Sequence, residues 1–141
     1  MDTASSTTPS TTPRFIDNGD GTVTLPALGL MFTKATITPK YGTHAQAEAA
    51  CSELRTGGFD DWRLPSTHEL FALVDHSRCR PAIDTDVFPD TKSHWYWTGT
   101  VCAWSSSLAW FVLFGDGLAS GSSRDNGYGL VRAVRSLPPG Q

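Results

Sequence analysis

The chain is short of charge. Only 18% of its 141 residues are Asp, Glu, Lys or Arg, against roughly 25% in an ordinary globular protein. It has no basic excess either. The net charge is −3 and the pI about 5.7, which excludes the concentrated cationic footprint of a nucleic-acid binder. No run approaches the roughly 18 apolar residues of a membrane span, and no basic amphipathic helix suggests a membrane-surface role. Three cysteines are too few for a disulfide scaffold and leave one over. The common catalytic signatures are missing as well: no G-x-S-x-G, no P-loop, no G-x-G-x-x-G and no H-E-x-x-H. His76, Cys79, His94 and Cys102 match no paired zinc spacing. The expectation is therefore a non-enzyme with no cofactor and no metal.

What is present is hydroxyl and aromatic. Ser and Thr make up 31 residues, and five Trp, seven Phe and three Tyr are many for this length. Aromatics without strong helix formers favour strands and binding surfaces. Residues 6–13 read Ser-Thr-Thr-Pro twice, which cannot bury enough apolar area to offset the entropy of ordering. The reading is a Ser/Thr/Pro linker over 1–13, one domain over 14–136 and a tail over 137–141. Met1-Asp2-Thr3 opens no basic region followed by an apolar one, so no leader is read there. The hydroxyl-and-proline tether favours a lost leader and a secreted or cell-envelope location.

The folded part opens with two β-prone runs around Asn18-Gly19-Asp20-Gly21, which predicts a hairpin. A calcium loop starting at Asp17 fails, because Gly19, Gly21 and Leu28 occupy ligand positions. Thr43-His44-Ala45-Gln46 and Ser66-Thr67-His68-Glu69 are capping boxes that start two helices. Ala47, Ala50, Cys51 and Leu54 form the apolar face of the first, and Gly57-Gly58 ends it. Leu70, Leu73 and Val74 form the buried stripe of the second, with Phe71 beside them. A loop rich in Pro, Asp and Thr follows, and then strand-like runs at 95–98, 109–114, 118–120 and 130–134. Helices followed by strands predict an α+β fold with an antiparallel C-terminal sheet. Cys51 reads as a buried small hydrophobe, and Cys79 and Cys102 as a pair able to join in an oxidising compartment.

Phe59-Asp60-Asp61-Trp62-Arg63-Leu64-Pro65-Ser66-Thr67-His68-Glu69-Leu70 resembles the G-x-x-D-W-R-L-P-T-x-x-E-L signature of a bacterial family. That family is named for the C-terminal domain of the Legionella collagen-like protein. Arg14 to Thr24 resembles its opening hairpin, and Gly29-Leu30-Met31-Phe32 its G-L-M-W. Leu73-Val74-Asp75, Pro81 to Asp84 and Phe88-Pro89 resemble its central loop. Tyr96-Trp97-Thr98, Ala109-Trp110, Phe114, Gly117 and Val131 to Arg135 resemble its closing sheet. The resemblance implies a C-type-lectin-like fold in secreted or surface proteins, a glycan or protein ligand, and a trimer by similarity to a polysaccharide-binding adhesin. The same broad fold is also used by the variable ligand-binding proteins of diversity-generating retroelements. The lectin motifs E-P-N and W-N-D are absent, so calcium-dependent sugar binding is not expected. Ala133 stands where the family often has Cys.

Within the shared block, Trp62 is expected to plug the core where the second helix meets the sheet. Arg63 is expected to bond carbonyls or a carboxylate, and Glu69 to close its helix cap. In the strand 109–114 side chains alternate faces. Trp110, Val112 and Phe114 coincide with the family's apolar positions and are expected inside, which turns Phe111 and Leu113 outward. Trp104, Asp116, Leu118, Ser120, Ser122, Arg124, Asn126 and Tyr128 supply polar and aromatic variety nearby, as in a paratope. The leading expectation is thus a binding domain that uses the outer face of its C-terminal sheet. The alternatives are a module that buries this face between subunits, and an enzyme whose Ser, His and Asp meet only in space. Arg124, Arg132 and Arg135, with Arg78, Arg80 and Lys92, are the cations a polyanion would need. Arg132 reads rather as one member of a structural ion pair.

Overall fold

Short-range hydrogen bonds set the first elements. The Asp17 carboxylate accepts from the Gly19 N–H at 3.0 Å and the Asp20 carboxylate from the Thr22 N–H at 3.1 Å. Gly19 and Gly21 take φ of 79° and 89°, which only glycine adopts without steric cost. This turn folds β1 (Ile16–Asp17) onto β2 (Thr22–Leu25), with Ile16 opposite Thr24. A tight turn at Pro26–Leu28 then returns the chain as β3 (Leu30–Thr33), antiparallel to β2. The structure, a computed structural model, describes residues 14–37, 41–127 and 129–137. The expected linker over 1–13 and most of the expected tail lie outside the described residues.

Both capping boxes form as their spacing requires. Thr43 and Gln46 bond reciprocally at the start of α1 (His44–Ser52), and Ser66 and Glu69 at the start of α2 (Thr67–Phe71). Ala47 and Cys51 are buried along α1, and Leu70, Leu73 and Val74 along α2 and the turn after it. Both helices are shorter than their apolar spacing suggests. Leu54 and Leu73 pack from the turns that follow, and Phe71 is 37% exposed.

The remaining strands are β4 (Trp95–Cys102), β5 (Ser105–Leu113), β6 (Leu118–Ser123) and β7 (Val134–Ser136). The fold is α+β, with two antiparallel sheets. β4, β5 and β6 form one, with β5 in the middle; the other runs β1-β2-β3-β7. The expected antiparallel C-terminal sheet is present, but without the run at 130–134 that was assigned to it. The last strand leaves it and pairs with β3, Phe32 opposite Val134. Residues 130–133 are wholly buried between the sheets. There they bond to both: the Leu130 N–H donates to the Trp95 carbonyl, and the Thr33 N–H donates to the Ala133 carbonyl. A segment with neighbours on both sides reads as a strand of either sheet from its sequence.

Two apolar clusters result. One joins Val23, Phe32, Leu70, Leu73, Ile83, Phe88, Tyr96, Val112 and Phe114. The other joins Met31, Ala47, Cys51, Trp62, Leu64, Trp97, Ala109, Val131 and Ala133. The β4-β5-β6 sheet is therefore covered on both faces along part of its length. Cys51 and Ala133 share the second cluster. All three cysteines are free; Cys79 is exposed and Cys102 buried, so the Cys79–Cys102 pairing that the sequence left open is not made in this structure. Cys102 packs beneath Gly121, within contact of that backbone.

Candidate ligand-binding face

β5 carries the alternation on which the site rests, but not in the clean form expected. Val112 and Phe114 are fully buried, whereas Trp110 is half-buried. Trp110 is thus not the interior side chain its position suggests. On the opposite face Phe111 and Leu113 are half-buried rather than freely outward, because that face has its own neighbours. Ala109 and Trp97, both fully buried, lie on it with them. Trp97 donates its indole N–H to the Gly42 carbonyl at 2.9 Å. The backbone of Gly129 comes so close to this indole that a Cβ there would lie 2.2 Å from it.

Past Trp97 the covering stops. Phe111 stacks on Trp95 with ring centroids 4.1 Å apart, and Trp95 in turn leans on Trp97 at 5.3 Å. His94 and Tyr41 continue the row, Tyr41 lying 4.5 Å from the His94 ring and 56% exposed. Across the strand pair, Leu118 stands opposite Leu113, Ser120 opposite Phe111 and Ser122 opposite Ala109. Paired residues of an antiparallel sheet share a face, so Phe111, Leu113, Leu118, Ser120 and Ser122 form one surface. Leu118 is 57% exposed.

The other expected residues lie elsewhere. Trp104 is 68% exposed on the β4–β5 turn and packs edge-on against Trp110, 5.9 Å away. It belongs to the face opposite Phe111 and is separated from the aromatic row. Asp116 is exposed in the β5–β6 turn. Arg124 sits where β6 ends. Its Nε–H donates to Nδ1 of the buried His44 at 3.2 Å, and its guanidinium lies 3.6 Å from Glu48. The other ring nitrogen of His44 bonds the Thr98 carbonyl at 2.8 Å. A shallow cleft of about 270 Å³ opens between Thr43, Ala45, Ser107, Arg124 and Asp125. Its volume is below the roughly 300 Å³ at which small-molecule pockets begin. Asn126 bonds the Ser122 hydroxyl at 3.3 Å. Tyr128 lies outside the described residues. Among the described residues no three His, Cys, Asp or Glu side chains are placed to hold a metal.

The block 59–70 is built as a fastener. Trp62 is 4% exposed and donates its indole N–H to the Thr56 carbonyl at 3.1 Å. Its neighbours are Ala47 and Cys51 of α1 rather than α2. Arg63 grips Glu69 with two bonds, 2.7 and 2.9 Å, and donates to the Ser136 hydroxyl on β7 at 3.0 Å. The same Glu69 accepts from the Ser66 N–H at 2.8 Å. The Arg63 guanidinium, more than the cap, holds the Glu69 carboxyl below its usual 4.5. Arg135 pairs with Asp61 at 2.6 Å and lies over the Phe59 ring.

A sequence model of the Lcl C-terminal domain matches residues 21–135. The chain belongs to that family. A comparison with curated proteins finds no match. In this Lcl C-terminal domain the matched stretch takes in β2 to β7, both helices and the aromatic row. It also takes in the cations a polyanion would meet, and the structure disperses them. Arg132 is fully buried and donates to the Thr33 and Lys34 carbonyls at 2.6 Å each and to the Thr91 hydroxyl at 2.7 Å. Asp90 stands 3.6 Å from it, so its expected structural ion pair is present. Arg135 is 7% exposed. Neither faces solvent as part of a cationic patch.

The sequence reading missed Tyr41, His94 and Trp95. The signal for Trp95 was available, since residues 95 and 97 share parity across Tyr96. Tyr41 had none, because only the fold brings the start of α1 to β4.

Proposed function

We propose that this domain is a non-catalytic ligand-recognition module, of the adhesion type that its family suggests. It binds a glycan or protein on the open face of the β4-β5-β6 sheet. The packing of Trp95 against Phe111 carries the reading: large aromatic rings with centroids 4.1 Å apart remain half-exposed on neighbouring strands, where Val112 on the other side of β5 is fully buried. Rigid rings offer contact area at low entropic cost, and the Ser120 and Ser122 hydroxyls beside them adapt to polar groups. A row of half-exposed rings along adjacent strands suits an extended partner rather than an enclosed small molecule.

The same reading takes in the C-type-lectin-like character and the secreted or envelope location that the resemblance implies. Chemistry at the obvious reactive groups is disfavoured. Both ring nitrogens of His44 are engaged, and burial pushes the Cys51 thiol up to about 12, where no thiolate forms at neutral pH. Glycan and protein arrays test the proposal. Hits should vanish with Trp95→Ala, Phe111→Ala and Ser120→Lys and survive Trp104→Ala. Hits lost only with Trp104→Ala would move the site to the other face.

A further inference from the structure

We propose that β6 is the contact edge of a two-fold dimer, in which the β6 strands of two copies pair antiparallel about Ser120. The pairing doubles the three-stranded sheet.

The argument begins with the sheet edges. The outer edge of β4 is covered by Leu130, which bonds Trp95 and Trp97 through its backbone. β7 is covered by Arg63, bonded in both directions to Val134. β1 is two residues long and carries the ion-paired Asp17. Short or charged strands and covering segments are the usual protections against edge pairing. Among the described residues β6 has none of them. Leu118-Ala119-Ser120-Gly121-Ser122-Ser123 holds no charge and no proline, and its register with β5 is unbroken.

Its free groups follow from ladder alternation. The Arg124 N–H bonds the Ser107 carbonyl of β5, while the Ser123 carbonyl turns away and accepts from Asn126. Ala119 and Gly121 share the parity of Ser123, so their N–H and C=O groups point out from the sheet.

The strand is complementary to itself. With Ser120 on the two-fold axis, Ala119 of one copy meets Gly121 of the other, and each exchanges its N–H and C=O. Side chains along the seam are small. In the same register the turn that carries the exposed Asp116 lies at the end of the seam where the second copy presents Arg124, whose side chain is 38% exposed and 3.6 Å from Glu48 of its own chain. Groups of opposite charge thus lie near each other at both ends of the seam. A parallel pairing would bring Asp116 to Asp116. A foreign strand would have to supply this charge pattern, whereas a second copy already has it. The closed two-fold contact limits assembly to a dimer. It sets the two aromatic faces side by side, which multiplies avidity for a repetitive partner.

Light scattering and amide exchange, from micromolar to millimolar protein, test this. The chain should pass from monomer to dimer. The Ala119 and Gly121 amides should slow by about tenfold where the dimer dominates, since exchange reports pairing. Gly121→Pro removes an edge donor that β5 does not use, and Ser120→Lys puts two ammonium groups across the axis. Both variants should stay monomeric. If Gly121→Pro fails to fold, Ser120→Lys and the exchange data decide. A monomer at every concentration overturns the proposal, whether or not an added extended peptide slows those amides. A dimer or trimer that survives Ser120→Lys with both amides in fast exchange also overturns it.

Discussion

β3 and β6 are both short strands of four to six residues, each in an antiparallel sheet, and they are treated in opposite ways. Every residue of Leu30–Thr33 is buried, with β2 on one side and β7 on the other. Among the described residues Leu118–Ser123 has a neighbouring strand on one side only, and no residue in it is fully buried. Around β3 the polar groups are captured one by one: Thr33 and Lys34 carbonyls by Arg132, Asp61 by Arg135, Glu69 by Arg63. Around β6 the Ser122 and Ser123 hydroxyls bond to the turn that follows, while Ser120 and Leu118 are exposed. The lesson is that both apolar clusters reach into the second sheet through β4 and β5, while its edge strand β6 adds only the partly buried Ala119. The proposed contact surface along β6 can therefore change at little cost to the fold.

Substitutions should separate the two regions by the size of their effects. Trp62→Ala removes an indole from the second cluster and one of the two donors to the Thr56 carbonyl, which keeps the Phe59 N–H. It should cost about 3–5 kcal/mol in denaturant unfolding. Arg132→Met should cost about 3 kcal/mol, because the Thr33 and Lys34 carbonyls and Asp90 lose a buried cation. A cost below about 1 kcal/mol would mean that water replaces the guanidinium. Phe111→Ala should lower stability by only about 1–2 kcal/mol while abolishing array binding. Equal losses at Phe111 and Trp62 would erase the distinction between the regions.

Acid should act on the clasped region. The Arg63 hydrogen bonds hold the Glu69 carboxyl below its usual value of 4.5. The pair therefore adds stability above that pH and loses it as the pH falls through the depressed pKa. Glu69→Gln should flatten the acid limb of the stability profile and leave the rest of its shape unchanged. The smallest effect belongs to the exposed edge. Ser120→Lys should change monomer stability by less than about 0.5 kcal/mol; a larger loss would mean that β6 also supports the core.

Much of the clasped region was readable in advance. Thr43 with Gln46 and Ser66 with Glu69 lie three residues apart, and that spacing alone brings cap and backbone together. The same holds for Asp17 with Gly19 at the first turn. Arg63 could be foreseen bonding a carboxylate, but its reach to Ser136 depends on β7 pairing with β3. The proposed binding face was half legible. Phe111, Leu113, Leu118, Ser120 and Ser122 do share a surface, because strand parity and pairing put them there. Trp104 looked like their companion but packs edge-on against Trp110 on the opposite face of the sheet, since a hairpin tip can bend toward either side.

The sequence by itself determined the local grammar: the glycine turn, the two helix starts, the α+β order and the family block. Each rests on contacts between residues a few positions apart, which the chain meets however the rest folds. Only the tertiary structure decided which side of β5 stays open, which of its sheet's edges stays unpaired and which arginines leave the surface. Those outcomes depend on what packs above and below a strand, and strand parity by itself does not say which side the rest of the chain covers.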